Sequence, residues 1–142
     1  MSLQLSTEIR IKVSSQEIWQ ELIDFNSYPS LNPFITKIEG IPKQHNQLKA
    51  SIEGIKFKPI VLESTPNKKL VWLGKLLFKG FFDGKHSFEI IEEGNKCVFI
   101  QSETFTGILV PLFKKKLKTD TKQGFEAMNE ALKLRVESKK SL

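Results

Sequence analysis

The chain has 142 residues, 39% of them hydrophobic and 27% charged, a composition that suits one globular domain and excludes a disordered or membrane-embedded chain. Lys and Arg outnumber Asp and Glu by 22 to 16, and the net charge of +6 favours anionic partners in general without specifying one; nucleic acid is not expected as a partner. The single Cys97 excludes an internal disulfide, and no Cys/His cluster has metal-ligand spacing, so no metal or cofactor is expected. No stretch reaches the ~20 apolar residues of a spanning helix and the first residues lack the pattern of a secretory leader, from which a cytoplasmic protein is expected.

Leu5, Thr7, Ile9, Ile11 and Val13 alternate with Ser6, Glu8, Arg10 and Lys12, the period of a strand with one buried face. Ser14-x-x-Glu17 then forms a capping box, with Val13 and Ile18 placed as a hydrophobic staple, so a helix starts there. Ile18, Trp19, Leu22 and Ile23 give it one apolar side, and it is expected to stop before Tyr28-Pro29 because a residue preceding proline avoids the helical region. A second short helix or turn is expected around 30–33. Strands follow at 34–39, 48–53, 57–64, 70–77, 82–92 and 96–105, separated by turns rich in Gly, Pro and Asn. Six strands in meander order form an antiparallel sheet that coils and leaves a concave face to be covered.

The cover is the last segment. Pro111 suits a first helical turn, and Leu117, Thr121, Gly124, Phe125, Met128, Leu132 and Val136 recur at three and four, one long apolar face. About 26 residues at 1.5 Å rise make a rod of roughly 39 Å, enough to cross a small domain. The expected architecture is one domain over residues 1–138 with a frayed tail at 139–142, its class α+β: a curved antiparallel sheet of about seven strands wrapped around a long C-terminal helix, with two short helices after the first strand.

The last hairpin places side chains on faces. With a two-residue Glu93-Gly94 turn, Ile90 faces Cys97, Phe88 faces Phe99, His86 faces Gln101 and Gly84 faces Glu103. Asp83, Lys85, Ser87 and Glu89 make the other side wet, so the Phe-rich side looks inward and carries a polar cluster of His86, Gln101 and Glu103, with His86 and Glu103 diagonal neighbours. That cluster orients a polar group of a ligand, works as an acid–base pair, or is a satisfied interior network. Trp72 shares the parity of Leu70 and Gly74, which puts it either on the concave side, where Gly74 leaves room beside it, or in the ordinary core of the sheet. Gly124 inside a helix costs roughly 1 kcal/mol against alanine and is expected to leave space for a hollow centre.

The strand, two short helices, six strands and a long helix are joined by recognisable motifs: Ser15-x-x-x-Ile18-Trp19-x-x-Leu22-x-Asp24-Phe25-x-x-Tyr28-Pro29-x-x-Asn32-Pro33-Phe34, Phe82-Asp83-Gly84-x-His86-x-Phe88-Glu89, Glu103-x-Phe105-x-Gly107-x-x-x-Pro111 and Gly124-Phe125-Glu126-x-Met128-Asn129-x-x-Leu132-Lys133. In these the chain resembles the START-related, polyketide-cyclase-like (SRPBCC) superfamily across nearly its whole length. The resemblance implies the helix-grip fold and a deep cavity between sheet and helix, used by members as lipid carriers, hormone receptors, cochaperone-like modules and aromatic cyclases. It implies no shared catalytic residue.

The residues expected to line that cavity and touch its ligand are Phe57, Val61, Trp72, His86, Phe88, Phe99, Gln101, Glu103, Phe105, Phe125 and Met128, with Phe81, Phe82, Leu109, Leu112 and Phe113 at the rim. Lys114, Lys115 and Lys116 stand at a helix N-terminus, against the dipole. They are either solvated charges beside a loop over the mouth or the site of a transient contact with an anionic membrane surface. The leading expectation is a non-catalytic protein that binds or carries a hydrophobic small molecule such as a lipid, isoprenoid or aromatic compound. Two others stay open: a cyclase- or dehydratase-type enzyme using His86 and Glu103, and a protein-interaction module with a filled core.

Overall fold

The computed structural model of the chain describes residues 2–52, 54–76 and 78–140. Alternation in the first segment produces strand β1 (Ser2–Ile11), in which Leu3, Leu5, Thr7 and Ile11 are buried between exposed neighbours. The Ser14 hydroxyl accepts from the Glu17 backbone N–H and the Glu17 carboxylate accepts from that of Ser14, so the capping box starts helix α1 (Ser15–Ile23) as expected. A single 3₁₀ turn (Phe25–Ser27) then leads into helix α2 (Tyr28–Leu31). Helix α1 stops before Tyr28-Pro29 as expected, but Tyr28 itself adopts helical angles, because Pro29 falls in the first turn of the new helix, where its missing N–H is not needed.

The remaining strands are β2 (Ile35–Glu39), β3 (Lys49–Ile52), β4 (Ile55–Phe57), β5 (Ile60–Thr65), β6 (Lys69–Leu76), β7 (Phe82–Glu93) and β8 (Lys96–Thr106). The expected strand over 57–64 is two strands, because Pro59 has no N–H to give a ladder. The break divides the meander into a five-stranded sheet, β1-β8-β7-β6-β5, and a three-stranded one, β2-β3-β4. Backbone bonds from Leu48 N–H to the Pro59 carbonyl (2.7 Å) and from Val61 N–H to that of Asn46 (2.9 Å) stitch the two together. The expected strand ends at Glu53 and Leu77, and the last two residues of the tail, Ser141 and Leu142, lie outside the described residues.

The β7–β8 register differs from the expected one by two residues. The turn is Gly94-Asn95, with Gly94 at φ +68°, the first central position that a mirror-image turn reserves for glycine. Glu93 therefore faces Lys96, Ile90 faces Phe99, Phe88 faces Gln101 and His86 faces Glu103. A shift of two keeps every side chain on its face, so the inward side is the expected one while the partners change. Asp83 departs from the wet side: it is buried, and one carboxylate oxygen accepts the Gly80 N–H (3.1 Å) of the loop that folds over it.

The chain is helical from 110 to 140 in three parts, α3 (Val110–Lys116), a π-helical turn (Leu117–Thr121) and α4 (Lys122–Lys140). Leu117, Phe125, Met128, Leu132 and Val136 are buried, so the apolar face read from the spacing packs on the sheet and the arrangement is the helix grip. The Lys139 ammonium is bonded to the buried Glu21 carboxylate, which holds the last turn to α1 where a frayed tail was expected. Among the described residues no helix is long and apolar enough to cross a membrane.

Gly124 is explained by its neighbour rather than by empty space. A Cβ built on it would stand 1.7 Å from the nearest carbon of the Phe34 ring, so the ring occupies the place that any side chain here would take. Phe34 is held there by Asn32, whose side-chain oxygen accepts the Phe34 and Ile35 backbone N–H groups at 2.8 and 2.9 Å. Gly124→Ala is expected to destabilise the protein by about 1–3 kcal/mol through overpacking. In a Phe34→Ala background the same change should stabilise it by about 1 kcal/mol, the ordinary helix preference; urea unfolding of the four proteins reads the reversal of sign.

Candidate functional site

Buried side chains form two apolar clusters along the helix. The larger holds Trp19, Leu22, Tyr28, Phe88, Phe99, Met128 and Leu132; the smaller holds Leu3, Leu5, Phe105, Val110, Leu117 and Phe125. Between them lies a cavity of about 220 Å³, walled by Trp72, Gly74, Gly84, His86, Glu103 and Phe105 of the large sheet, Ile35, Ile52 and Phe57 of the small one, Pro59, Asn32 and Phe34, and Lys116, Leu117, Asp120, Thr121 and Phe125 of the helix, with Phe82 at its edge. Two glycines shape it. No atom lies within 4 Å of where a Gly74 Cβ would stand, whereas a Gly84 Cβ would meet the Glu103 carboxylate oxygen at 2.1 Å. Gly74 thus opens space, and Gly84 admits a carboxylate.

Of the residues expected to line the cavity, Phe57, Trp72, His86, Glu103, Phe105 and Phe125 stand on its wall, and so does Phe82, which was expected at the rim. Val61, Phe88, Phe99, Gln101 and Met128 do not: each is 0% exposed and belongs to solid packing beside the cavity. The reason is volume, since the rings of Trp72, His86, Phe88 and Phe99 pack in series, with centroids 5.6 Å, 4.5 Å and 5.9 Å apart, and fill the middle of the sheet. Phe81, Leu109, Leu112 and Phe113, expected at the rim, are not among the lining residues; Phe81 and Leu109 are half-buried, and Leu112 and Phe113 are exposed. Ile35, Ile52, Lys116 and Asp120 line the cavity and were missed; the two isoleucines sit on a sheet that the pattern did not separate, and the Lys116/Asp120 positions depend on the π-helical turn, which leaves no compositional mark.

The polar chemistry is a chain of hydrogen bonds running inward from the cavity. His86 Nδ1 is 2.6 Å from a Glu103 carboxylate oxygen, and His86 Nε2 is 3.0 Å from Gln101 Oε1. Gln101 Nε2 donates to the Phe125 carbonyl (3.3 Å) and to Asn129 Oδ1 (2.8 Å), Asn129 Nδ2 donates to the Thr7 hydroxyl (2.9 Å), and that hydroxyl donates to the Gln101 carbonyl (3.0 Å). A backbone carbonyl only accepts, so the Phe125 contact fixes which end of the Gln101 amide faces the imidazole. The Gln101 oxygen then requires a proton on His86 Nε2. It follows that His86 Nδ1 and Glu103 share one exchangeable proton, either as imidazolium with carboxylate or as neutral imidazole with carboxylic acid.

Glu103 Oε1 takes the imidazole; among the described residues Oε2 has no hydrogen-bond partner, and it projects over Gly84 on the cavity wall. The pair is mostly enclosed, with side-chain exposures of 7% for His86 and 16% for Glu103. The site can therefore offer an oriented oxygen acceptor, backed by a proton store, in surroundings that are mostly apolar. Tyr28 is outside it: burial pushes its phenol above the ordinary tyrosine range, and its hydroxyl has no partner among the described residues. Cys97 is also outside it, its thiol pushed up by burial and by the nearby Glu92 and donating to the Val13 carbonyl at 3.4 Å. Among the described residues no group of His, Cys, Asp and Glu is arranged to hold a metal ion.

The family model described as "Polyketide cyclase / dehydrase and lipid transport" matches residues 2–137. The chain belongs to this family. Solved structures agree in fold: a hypothetical protein from Helicobacter pylori superposes with a TM-score of 0.82 at 16% identity, over 94% of this chain and 88% of that one. A START superfamily protein from Mycobacterium smegmatis gives 0.71 at 24% identity, over 95% and 97%. The di-domain ARO/CYC StfQ from the steffimycin biosynthetic pathway gives 0.81 at 11% identity, with all of this chain spanning 53% of that one. At these identities the likeness is one of fold. No curated protein matches the sequence.

The hydrogen-bond chain makes a stability test. Gln101→Leu strands the His86 Nε2 proton and Asn129 Oδ1 in the interior, and at about 1–3 kcal/mol for each orphaned group the loss should be on the order of 3 kcal/mol by denaturant unfolding. Glu103→Gln keeps a donor to Nδ1 and should cost less than about 1 kcal/mol. Long-range nitrogen NMR of the wild-type imidazole should find the proton on Nε2 at neutral pH; a proton on Nδ1 alone would contradict the assignment.

Proposed function

We propose that the protein binds a small hydrophobic molecule carrying one hydrogen-bond donor, a hydroxyl, enol or N–H group, and holds that donor against Glu103 Oε2. The observation that carries the reading is an unpaired carboxylate oxygen, oriented through His86 and Gln101, on the wall of a mostly apolar cavity whose other charged groups, Lys116 and Asp120, belong to exposed helix residues. Apolar burial supplies affinity at about 25 cal/mol per Å², and the polar contact selects orientation. Size restricts the cargo. An apolar cavity of about 150 Å³ accommodates benzene, so about 220 Å³ suits one or two rings or a short branched chain, with any longer tail leaving past Lys116 and Asp120. The family's description, with both cyclase and lipid-transport activities in it, supports a ligand of this class.

Mass spectrometry of material extracted from the native protein, followed by solution titration with a panel of phenols, short-chain alcohols and their methyl ethers, tests the reading. Hydroxyl-bearing members should bind at least ten-fold tighter than their ethers, a difference of about 1.4 kcal/mol that one oriented hydrogen bond supplies. Gly74→Val, which puts side-chain atoms into open space without a clash, should fold normally and lose that binding. A folded wild-type protein that takes up no member of the panel overturns the proposal.

A second reading has an observation in its favour. The shared proton between His86 and Glu103, beside a desolvated cavity, is an arrangement in which a carboxylic acid or carboxylate exchanges a proton with a bound enol or carbinol, as a cyclase or dehydratase requires. Glu103→Gln separates the two. Under the enzyme reading it removes turnover of a bound ligand by roughly 10²-fold or more, whereas under the binding reading it only weakens retention of the hydroxyl.

A further inference from the structure

This inference rests on the cavity reading, and concerns what meets the mouth. Two segments that are far apart in sequence form one surface there. The Ile108 N–H donates to the Gly80 carbonyl and the Leu109 N–H to that of Phe81, both at 3.1 Å. Gly107, at φ +123°, permits the approach, since a Cβ on it would stand 2.5 Å from the Phe81 carbonyl oxygen. The joined surface exposes Phe78 at 59%, Ile108 at 72% and Leu112 at 74%. It is continuous with the cavity wall, because Phe113 packs edge-on against Phe82 at 5.7 Å and Phe82 lines the cavity.

Charge around these tips is one-sided. Between 107 and 125 the chain carries Lys114, Lys115, Lys116, Lys118 and Lys122 against one acid, Asp120, and Lys79 stands beside Phe78 in the adjoining loop. All of these lysines are exposed, and among the described residues none is ion-paired. Each exposed lysine that nears an anionic bilayer raises partitioning roughly five-fold, and apolar tips beside it sink into the boundary between head groups and acyl chains. We propose that this face docks on an anionic lipid surface, with Phe78, Ile108 and Leu112 inserted and Lys79, Lys114 and Lys115 on the phosphates, so that the mouth opens onto lipid. Charge complementarity selects this occupant. The two most exposed tips are aliphatic and offer no ring on which a nucleic-acid base would stack.

Co-sedimentation of the full chain with vesicles of phosphatidylcholine alone, and of phosphatidylcholine mixed with phosphatidylglycerol, tests this. Binding should require the anionic lipid and weaken with salt. The pair Ile108→Ser with Leu112→Ser should reduce partitioning at least ten-fold. The pair Lys114→Glu with Lys115→Glu should reduce it twenty-fold or more. All four positions are exposed, and thermal unfolding checks that the variants fold. Equal binding to neutral and anionic vesicles, wild-type partitioning by either variant, or displacement of the protein from vesicles by a single-stranded oligonucleotide at equal charge overturns the proposal. Titration of the hydroxyl-bearing panel in solution keeps the two readings apart. Uptake of the panel without vesicle binding removes only the docking surface, and vesicle binding without uptake removes only the cargo.

Discussion

Gln101 is the side chain on which the site depends. It is 0% exposed and makes four contacts in different directions: to the imidazole, to a helix carbonyl, to Asn129 and, through its own backbone, to Thr7. A buried amide is tolerated only when both ends are satisfied, and here satisfaction requires β1, β7, β8 and α4 to be in place together. The same bonds that hold helix to sheet thus keep a proton on His86 Nε2. Fold and site share one constraint. An ionisable pair facing an apolar cavity is otherwise free to rotate, and a rotated carboxylate would expose no defined acceptor.

The cavity exists because bulk is unevenly distributed along the grip. Beneath the C-terminal half of α4, Leu, Phe and Tyr side chains close the space between helix and sheet, and the aromatic series from Trp72 to Phe99 makes that half solid. Beneath its N-terminal half, Gly74 and Gly84 stand opposite the π-helical turn, and large side chains are replaced by backbone. Phe34 marks the boundary: Gly124 accepts its ring on the helix surface, which keeps the ring against the wall rather than across the opening. A single-turn widening of the helix is a common device at functional sites, and here it brings Leu117, Asp120 and Thr121 together over the mouth.

Periodicity carried most of this architecture, because a period of two and a spacing of three and four are set by burial against one core, and there is one core axis here. Val13, Ser14, Glu17 and Ile18 announced α1 through hydrogen-bond chemistry that is local to four residues. The division at Pro59 was visible as a residue type but not as a topology, since which sheet a short strand joins is decided by non-local pairing. The two-residue error at Gly94-Asn95 has the same origin: Glu93-Gly94 and Gly94-Asn95 are both acceptable turns, and the choice between them rests on pairings along the whole of β7 and β8, that of His86 with Glu103 among them. Parity survived that error, so the inward polar cluster was legible while its pairing was not. Which lining residues are wall and which are filling, as between Trp72 and Phe88, depends on side-chain volumes summed across three elements, and no single segment carries it.

The departures from local preference are not scattered. A π-helical turn interrupts the helix directly after Lys114, Lys115 and Lys116, which lie in the last turn of α3 and not at a helix start as expected, a glycine sits two residues into α4, and Ile108 and Leu112 remain in water, all within 108–124. By contrast, α1 at the far end starts with a complete capping box, and the last turn of α4 is bonded to Glu21. Natural sequences are locally consistent where only stability is at stake, and conflicts accumulate where another requirement acts on the same residues. The cavity, its unpaired carboxylate oxygen and its mouth lie at the inconsistent end. Packing alone gives no reason for that coincidence, whereas a molecule that enters there, and a surface that delivers it, would place all of these features on the same side of the domain.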